Sequence, residues 1–79
     1  MTNLEKYNNT FNIILNIQIE KANGEISADT IHQWDSITHL RLVTAIEDEF
    51  DVMFESEDVL EFRSYIKGKE ILEKYDVII

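Results

Sequence analysis

Apolar residues recur every three or four positions between Asp35 and Asp51, and this pattern limits the possible fold more than any other part of the chain. The residues that share the spacing are Ile37, Leu40, Val43, Ile46 and Phe50. Such spacing places apolar side chains along one face of an α-helix, and Leu42 and Ala45 widen that face. An aspartate before the first turn can accept hydrogen bonds from the free backbone amides there. The segment is therefore predicted to be a helix that starts at Asp35 and packs against other helices.

Helical patterns also occur on both sides of this central segment. Thr2 and Glu5 have the spacing of a capping box, and the apolar residues after them predict a first helix that ends near Ile17. Residues 56–58 can cap a short third helix that continues to position 62, and Ser64 can cap a last helix. The sequence thus predicts an all-α fold, a small antiparallel four-helix bundle.

The stretch from Glu20 to Asp35 interrupts the helical pattern. It contains Gly, Ser, Asn, Asp and Thr with single apolar residues among them, a composition typical of a long ordered loop. Ile26, Ile31 and Trp34 are expected to anchor it to the core. Loops of this length in compact domains are often functional. The expected bundle therefore has a long loop between its first and second helices and a short third helix.

Length and charge narrow the classes of function. The 79 residues, 44% of them apolar, suffice for one core and for a single domain over residues 1–79. So small a domain cannot enclose both a large substrate and a full set of catalytic residues, which favours a carrier or binding module over an enzyme. The net charge of −9 would repel nucleic acid and anionic membranes, so the expected partners present basic surfaces.

Features that the sequence lacks exclude further classes of site and of protein. Without cysteine there are no disulfides, thiolate metal sites or cysteine nucleophiles. No apolar run approaches the roughly 20 residues that span a bilayer, and the amino terminus lacks the pattern of a secretion signal. The expectation is a soluble, cytoplasmic, monomeric protein.

The start of the central helix carries the most specific motif. Trp34-Asp35-Ser36-Ile37 is followed by the apolar positions above and by the acidic run Glu47-Asp48-Glu49. In this context the chain resembles the acyl carrier protein family, in which an Asp-Ser-Leu motif follows the long loop and its serine carries 4'-phosphopantetheine. The resemblance covers nearly the whole chain. It implies that Ser36 is the attachment residue, that Asp35 belongs to the motif and caps the helix, and that acyl groups travel between enzymes as thioesters on the attached arm.

General chemistry agrees with a phosphodiester on Ser36. Free amides and the positive end of the helix dipole stabilise an anion at the first turn of a helix, where a modifying enzyme can also reach the hydroxyl. The resemblance implies that a phosphopantetheinyl transferase moves the group from coenzyme A and supplies the catalysis. The chain is then a substrate of that transferase and not itself an enzyme.

The resemblance also suggests which residues meet partners and which surround the acyl group. Weak, charge-steered docking suits a shuttle, so the expected partners are acyl-loading and acyl-transfer enzymes with basic docking surfaces. The residues expected to meet them are Ile37, Arg41, Thr44, Glu47 and Asp48.

The residues similar in position to an acyl pocket are Leu40, Val43, Phe54, Phe62 and Gly68, although most of them would serve equally well as ordinary core. Gly68 is the strongest candidate, because its missing side chain leaves space.

Two other functions remain open on the sequence. A peptidyl or aminoacyl carrier would use the same serine and the same arm, whereas an acidic protein-interaction module would need no modification. The chain departs from the commonest family pattern at Ile37, Arg41, Thr44 and Glu55. These departures favour a dedicated pathway, such as polyketide, modified fatty acid or surface-polymer synthesis, over housekeeping fatty acid synthesis.

A hydrolase and a metal site are not expected. Asp35, Ser36 and His39 lie within about one helical turn of one another, whereas a catalytic triad is assembled from separated elements. His39 is expected to be a surface residue near the attachment site, and His32 a loop residue. Neither histidine lies in a pattern of metal ligands.

Overall fold

The computed structural model of the chain describes residues 2–17 and 26–79. Four helices lie in these ranges, and they are α1 (Asn3–Leu15), α2 (Ser36–Phe50), α3 (Ser56–Glu61) and α4 (Tyr65–Lys74). Within the same ranges there is no strand, only one isolated bridge between Ser27 and Ser64. The all-α prediction is confirmed, and the third helix is short, at 6 residues. None of the helices in the described ranges has the length and apolar character needed to cross a membrane.

Short-range hydrogen bonds determine where α1 begins and ends. The Thr2 hydroxyl accepts from the Glu5 backbone N–H, and the Glu5 carboxylate accepts from the Thr2 backbone N–H, so the predicted capping box is present. Asn16 adopts a left-handed conformation with φ 55°, which ends the helix. The helix therefore stops at Leu15, earlier than the predicted end near Ile17.

The later helices begin mostly where the sequence predicts. The Thr38 backbone N–H donates to the Asp35 carboxylate at 2.9 Å, and the Lys67 backbone N–H donates to the Ser64 hydroxyl at 2.9 Å. Helix α3 differs, since Glu55 precedes its first turn without a side-chain capping bond and Phe62 lies just beyond its end. The predicted cap at residues 56–58 is therefore wrong, because these residues belong to the helix itself.

Aromatic side chains form the centre of the core. The Phe11 ring lies 4.8 Å from the Tyr7 ring, 5.3 Å from Tyr65, 5.7 Å from Trp34 and 6.2 Å from Phe62, measured between centroids. These separations fall in the range preferred by aromatic pairs. Around this cluster lie the buried residues Leu15, Leu42, Val43, Ile46, Phe54, Ile71 and Leu72. The core thus joins α1, α2, α4, the residue that follows α3, and the segment that leads into α2.

The described part of the predicted loop is anchored as expected. Trp34 is only 4% exposed, and Ile26 and Ile31 pack partly buried against the core. Backbone hydrogen bonds of 2.8 Å join Ala28 to the carbonyl of Arg63 and Tyr65 to the carbonyl of Ile26. Positions 20–25 of the predicted loop lie outside the described residues. The segment from 26 to 35 is therefore fastened to the start of α4.

Gly68 packs directly against two aromatic side chains. The Tyr7 hydroxyl donates to the Tyr65 carbonyl at 2.6 Å and is thereby held over α4. A Cβ atom at position 68 would lie 2.5 Å from Cζ of Phe62 and closer still to the Tyr7 hydroxyl. Glycine is accordingly required by the close approach of α1 and the Phe62 ring.

A buried carboxylate links α3 to α4. Asp58 is 3% exposed and accepts hydrogen bonds from Lys74 Nζ at 2.5 Å and from the Tyr75 hydroxyl. The Tyr75 oxygen in turn accepts from the Glu55 backbone N–H at 3.0 Å. The bond from Lys74, followed by the bond from Tyr75, lowers the pKa of the Asp58 carboxyl. Asp58 is thus held ionised between the two helices.

Replacing Gly68 by alanine should destabilise the protein even though alanine is the better helix former. The helix propensity gain is about 1 kcal/mol, whereas overpacking against fixed neighbours costs about 1–3 kcal/mol. We expect Gly68→Ala to lower the free energy of unfolding by up to about 2 kcal/mol in urea titrations. Glu70→Ala, at an exposed position of the same helix, should be neutral or slightly stabilising. The alanine should cost less in a Tyr7→Phe background, and an equal cost there would show that the hydroxyl is not the obstacle.

Asp58→Asn should destabilise the protein at neutral pH and much less in acid. A folded-state pKa below the unfolded value means that the carboxylate stabilises the fold above about pH 4 and loses this effect as the pH falls through the folded pKa. We expect a loss of about 1–3 kcal/mol at pH 7, measured by urea unfolding, that shrinks towards pH 3. Asp48→Asn, at an exposed position of α2, is the control and should show little change at either pH. A deficit that stays constant with pH would contradict the role given to the Asp58 charge.

Candidate functional site

Ser36 is the first residue of α2 and is exposed to solvent. The residue before it, Asp35, has an extended backbone and closes the helix end with its side chain. The Asp35 carboxylate accepts from the Thr38 backbone N–H at 2.9 Å, so the extended segment passes directly into the helix at this point. The serine predicted from the motif therefore lies at the surface, at the amino end of a 15-residue helix.

Charged groups of both signs lie near Ser36. The hydrogen bond from the Thr38 backbone N–H is the main reason that the pKa of the Asp35 carboxyl is lowered, so Asp35 carries a negative charge at neutral pH. The backbone amides of the first turn and the positive end of the helix dipole oppose that charge. The Arg63 side chain adds a cation to the lining of the groove, and the Asp29 carboxylate lies 3.7 Å from it and balances part of its charge. An anion bonded to Ser36 would therefore meet both attraction and one nearby repulsion.

A surface groove of about 500 Å³ starts at Ser36. Its lining comes from the residues before α2, the first two turns of α2, the second half of α3 and the segment after α3. The lining residues are Trp34, Asp35, Ser36, His39, Leu40, Val59, Leu60 and Arg63. Leu40 and Leu60 are 60% and 74% exposed and form apolar edges on opposite helices. The groove thus offers an apolar surface within reach of any group attached to Ser36.

His39 on α2 forms hydrogen bonds both to the segment before α2 and to α3. The Trp34 indole N–H donates to His39 Nδ1 at 2.9 Å, and His39 Nε2 lies 2.7 Å from the Val59 carbonyl oxygen. The two rings also stack, with centroids 6.1 Å apart. The expectation of a surface histidine is therefore wrong, since the side chain is partly buried and engaged on both nitrogens. The sequence did contain a signal for this burial. His39 lies four residues before Val43, and that spacing places it towards the core side of α2.

The exposed face of α2 contains four of the five residues expected to meet partners. Ile37, Arg41, Thr44 and Asp48 are all exposed and follow one another at helical spacing. Glu47 differs, because its Oε2 accepts the Phe54 backbone N–H at 2.8 Å and its side chain is only partly exposed. Glu47 therefore holds the connection between α2 and α3, and this structural role separates it from the other four residues.

The residues expected to line an acyl pocket do not form one site. Leu40 lies on the groove, whereas Val43, Phe54 and Phe62 are buried in the core. The space expected at Gly68 is filled by the Tyr7 hydroxyl and the Phe62 ring. In this arrangement the neighbouring aromatic side chains therefore close the space left by the missing Cβ at position 68.

The arrangement gives neither a triad nor a metal cluster within residues 2–17 and 26–79. Both ring nitrogens of His39 are engaged by Trp34 and Val59, so His39 does not act as a base towards Ser36 here. His32 is exposed on the segment before α2. No group of three or more His, Cys, Asp or Glu side chains in the described ranges could hold a metal ion. The chemical feature that remains is an exposed acceptor hydroxyl beside a groove.

Comparisons of the chain with protein-family models, with curated proteins and with solved structures give no match. The geometry at Ser36 and the sequence motif around it are therefore the features that indicate a function.

Proposed function

We propose that the chain is an acyl carrier protein whose Ser36 receives 4'-phosphopantetheine from coenzyme A. The observation that carries the proposal is the position of Ser36, which is exposed, begins α2 and directly follows the capping Asp35. A modifying enzyme can approach such a hydroxyl without unfolding the helix. The phosphodiester would gain from the helix amides and from Arg63 at the groove.

The proposal includes an antiparallel four-helix bundle. Short connections between consecutive helices favour antiparallel neighbours, and only residues 51–55 separate α2 from α3 and residues 62–64 separate α3 from α4. Contacts of Phe11 with Trp34, Phe62 and Tyr65 bring α1 onto the same core. A bundle of this kind supplies a rigid support for the amino end of α2.

A flexible arm on Ser36 would let so small a chain take part in chemistry that its partner enzymes catalyse. The arm ends in a thiol that the sequence lacks, and an acyl group is carried on it as a thioester. Tethering raises the concentration of that acyl group at each partner enzyme without a tight interface. The exposed residues Ile37, Arg41, Thr44 and Asp48 form the surface that partner enzymes contact. The net charge of −9 favours basic docking surfaces on those enzymes.

The groove beside Ser36 supports the same function. Leu40 and Leu60 give it apolar edges, and Arg63 gives it one cationic group. The arm and the first atoms of its cargo would lie against these residues between encounters with partner enzymes. The proposal places this carrier in the cytoplasm, where coenzyme A is available and a chain without cysteine needs no oxidising conditions.

The attachment is tested by incubating the purified protein with coenzyme A, Mg²⁺ and a phosphopantetheinyl transferase of broad specificity. We expect intact mass spectrometry to show the gain of one phosphopantetheine, and peptide mapping to place it on Ser36. Ser36→Ala should abolish the gain while the helical circular dichroism is retained, since a change at the first turn costs at most about 0.5–2 kcal/mol.

Ser56 provides a matched control, because it too is exposed and is the first residue of a helix. Ser56→Ala should be loaded to the same extent as the wild type. Loading of Ser36→Ala, or no loading of a correctly folded wild-type protein, would contradict the proposal. The second result would favour an acidic interaction module that works without modification.

A further inference from the structure

The hydrogen bonds of His39 require one form of its ring. The Trp34 indole N–H can only donate, so His39 Nδ1 must present a free lone pair at 2.9 Å. The Val59 carbonyl oxygen can only accept, so His39 Nε2, 2.7 Å away, must carry the hydrogen. The two bonds together are satisfied by the neutral ring with its proton on Nε2.

Adding a proton to this ring affects its two partners differently. The imidazolium ion is a donor at both nitrogens, so an Nδ1–H would point at the Trp34 Nε1–H and that hydrogen bond would be lost. The bond to Val59 would remain, and it would gain strength because its donor is charged. Val59 lies near the end of α3, where the last carbonyls have no N–H partner within the helix. Protonation would therefore release Trp34 while α3 stays tied to α2.

We propose that His39 is a proton-operated latch, which holds Trp34 against the groove beside Ser36 when neutral and releases it when protonated. The released indole N–H would then be a buried donor without a partner, so the Trp34 side chain shifts within the wall of the groove to meet another acceptor while its ring stays packed against Phe11 and Phe62. Trp34 forms a wall of the groove and precedes Asp35 and Ser36 in the chain. The latch thus connects acidity to the shape of the groove, whether or not Ser36 carries a prosthetic group.

Two charged side chains line the groove together with His39. The anchored segment contributes Asp35, which attracts an imidazolium ion, and the segment after α3 contributes Arg63, whose repulsion is reduced because the Asp29 carboxylate lies 3.7 Å from it. From α2 and α3 the groove residues are uncharged, namely Ser36, Leu40, Val59 and Leu60. The pKa of the Asp35 carboxyl is lowered, chiefly by the Thr38 amide, so Asp35 keeps its charge throughout the range in which histidines titrate, about pH 5–8.

Trp34 is the only tryptophan in the chain and reports on the latch directly. The experiment follows its indole N–H by proton–nitrogen NMR and its fluorescence between about pH 8 and pH 5. We expect the indole proton to lose its downfield, hydrogen-bonded position on acidification, and the emission to shift in step because the polar surroundings of the indole change. Far-ultraviolet circular dichroism should stay constant, because the helices remain formed.

His39→Gln is the variant that separates the latch from a purely structural contact. A glutamine can accept from Trp34 and donate to Val59, but it does not take up a proton in this range. We expect both pH-dependent shifts to disappear in His39→Gln and to persist in His32→Gln, which changes the exposed histidine. Shifts that persist in His39→Gln, or a wild-type indole signal that does not move, would overturn the proposal.

The ring of wild-type His39 gives a second measurement, which remains decisive if His39→Gln does not fold. Nitrogen-15 spectra distinguish the two neutral tautomers and the imidazolium ion. We expect the Nε2–H tautomer at pH 8 and its conversion in step with the Trp34 signal. An Nδ1–H tautomer at pH 8, or a His39 titration that leaves Trp34 unchanged, would refute the latch.

Discussion

The ring of Phe11 packs against four other aromatic rings, and this cluster determines where the rest of the molecule lies. Its partners come from α1, from the segment before α2, from the residue after α3 and from α4. In so small a domain, a few large side chains account for much of the buried apolar surface. One of these rings, Trp34, stands two positions before Ser36 in the chain. The position of the candidate site therefore depends on the packing of the core, because the same tryptophan contributes to both.

Polar side chains then connect the helices by hydrogen bonds to backbone groups and to one another. Glu47 accepts the amide of Phe54, His39 meets the carbonyl of Val59, and Asp58 joins two side chains at the end of α4. Helix α3 has only 6 residues. It contains Val59 and Asp58, and Phe54 lies just before it. Isolated helices this short are unstable in water, so α3 depends on these tertiary bonds.

The chemistry available to the chain lies at its surface. Within the core, the gap at Gly68 is filled by Tyr7 and Phe62, whereas the groove next to Ser36 remains open. An exposed hydroxyl at a helix start can accept a group from an external enzyme, and among the described residues His39 does not serve it as a base, since both of its ring nitrogens are engaged. The contrast between a filled core and an open, exposed site at Ser36 is the reason that we propose a carrier. In the function that we propose, the rigid part would hold the attachment residue and the reactive part would be added to it.

The sequence by itself determined the features that depend on neighbours within a few residues. The apolar spacing of α2, the capping residues Thr2, Asp35 and Ser64, and the surface position of Ser36 all follow from contacts over one helical turn. The tertiary structure alone decided the roles of His39, Glu47 and Gly68. His39 meets a carbonyl 20 positions away, and Gly68 meets a tyrosine from α1. Such contacts depend on how helices pack in space, and no local spacing encodes which distant atom will fill a gap or accept a hydrogen bond.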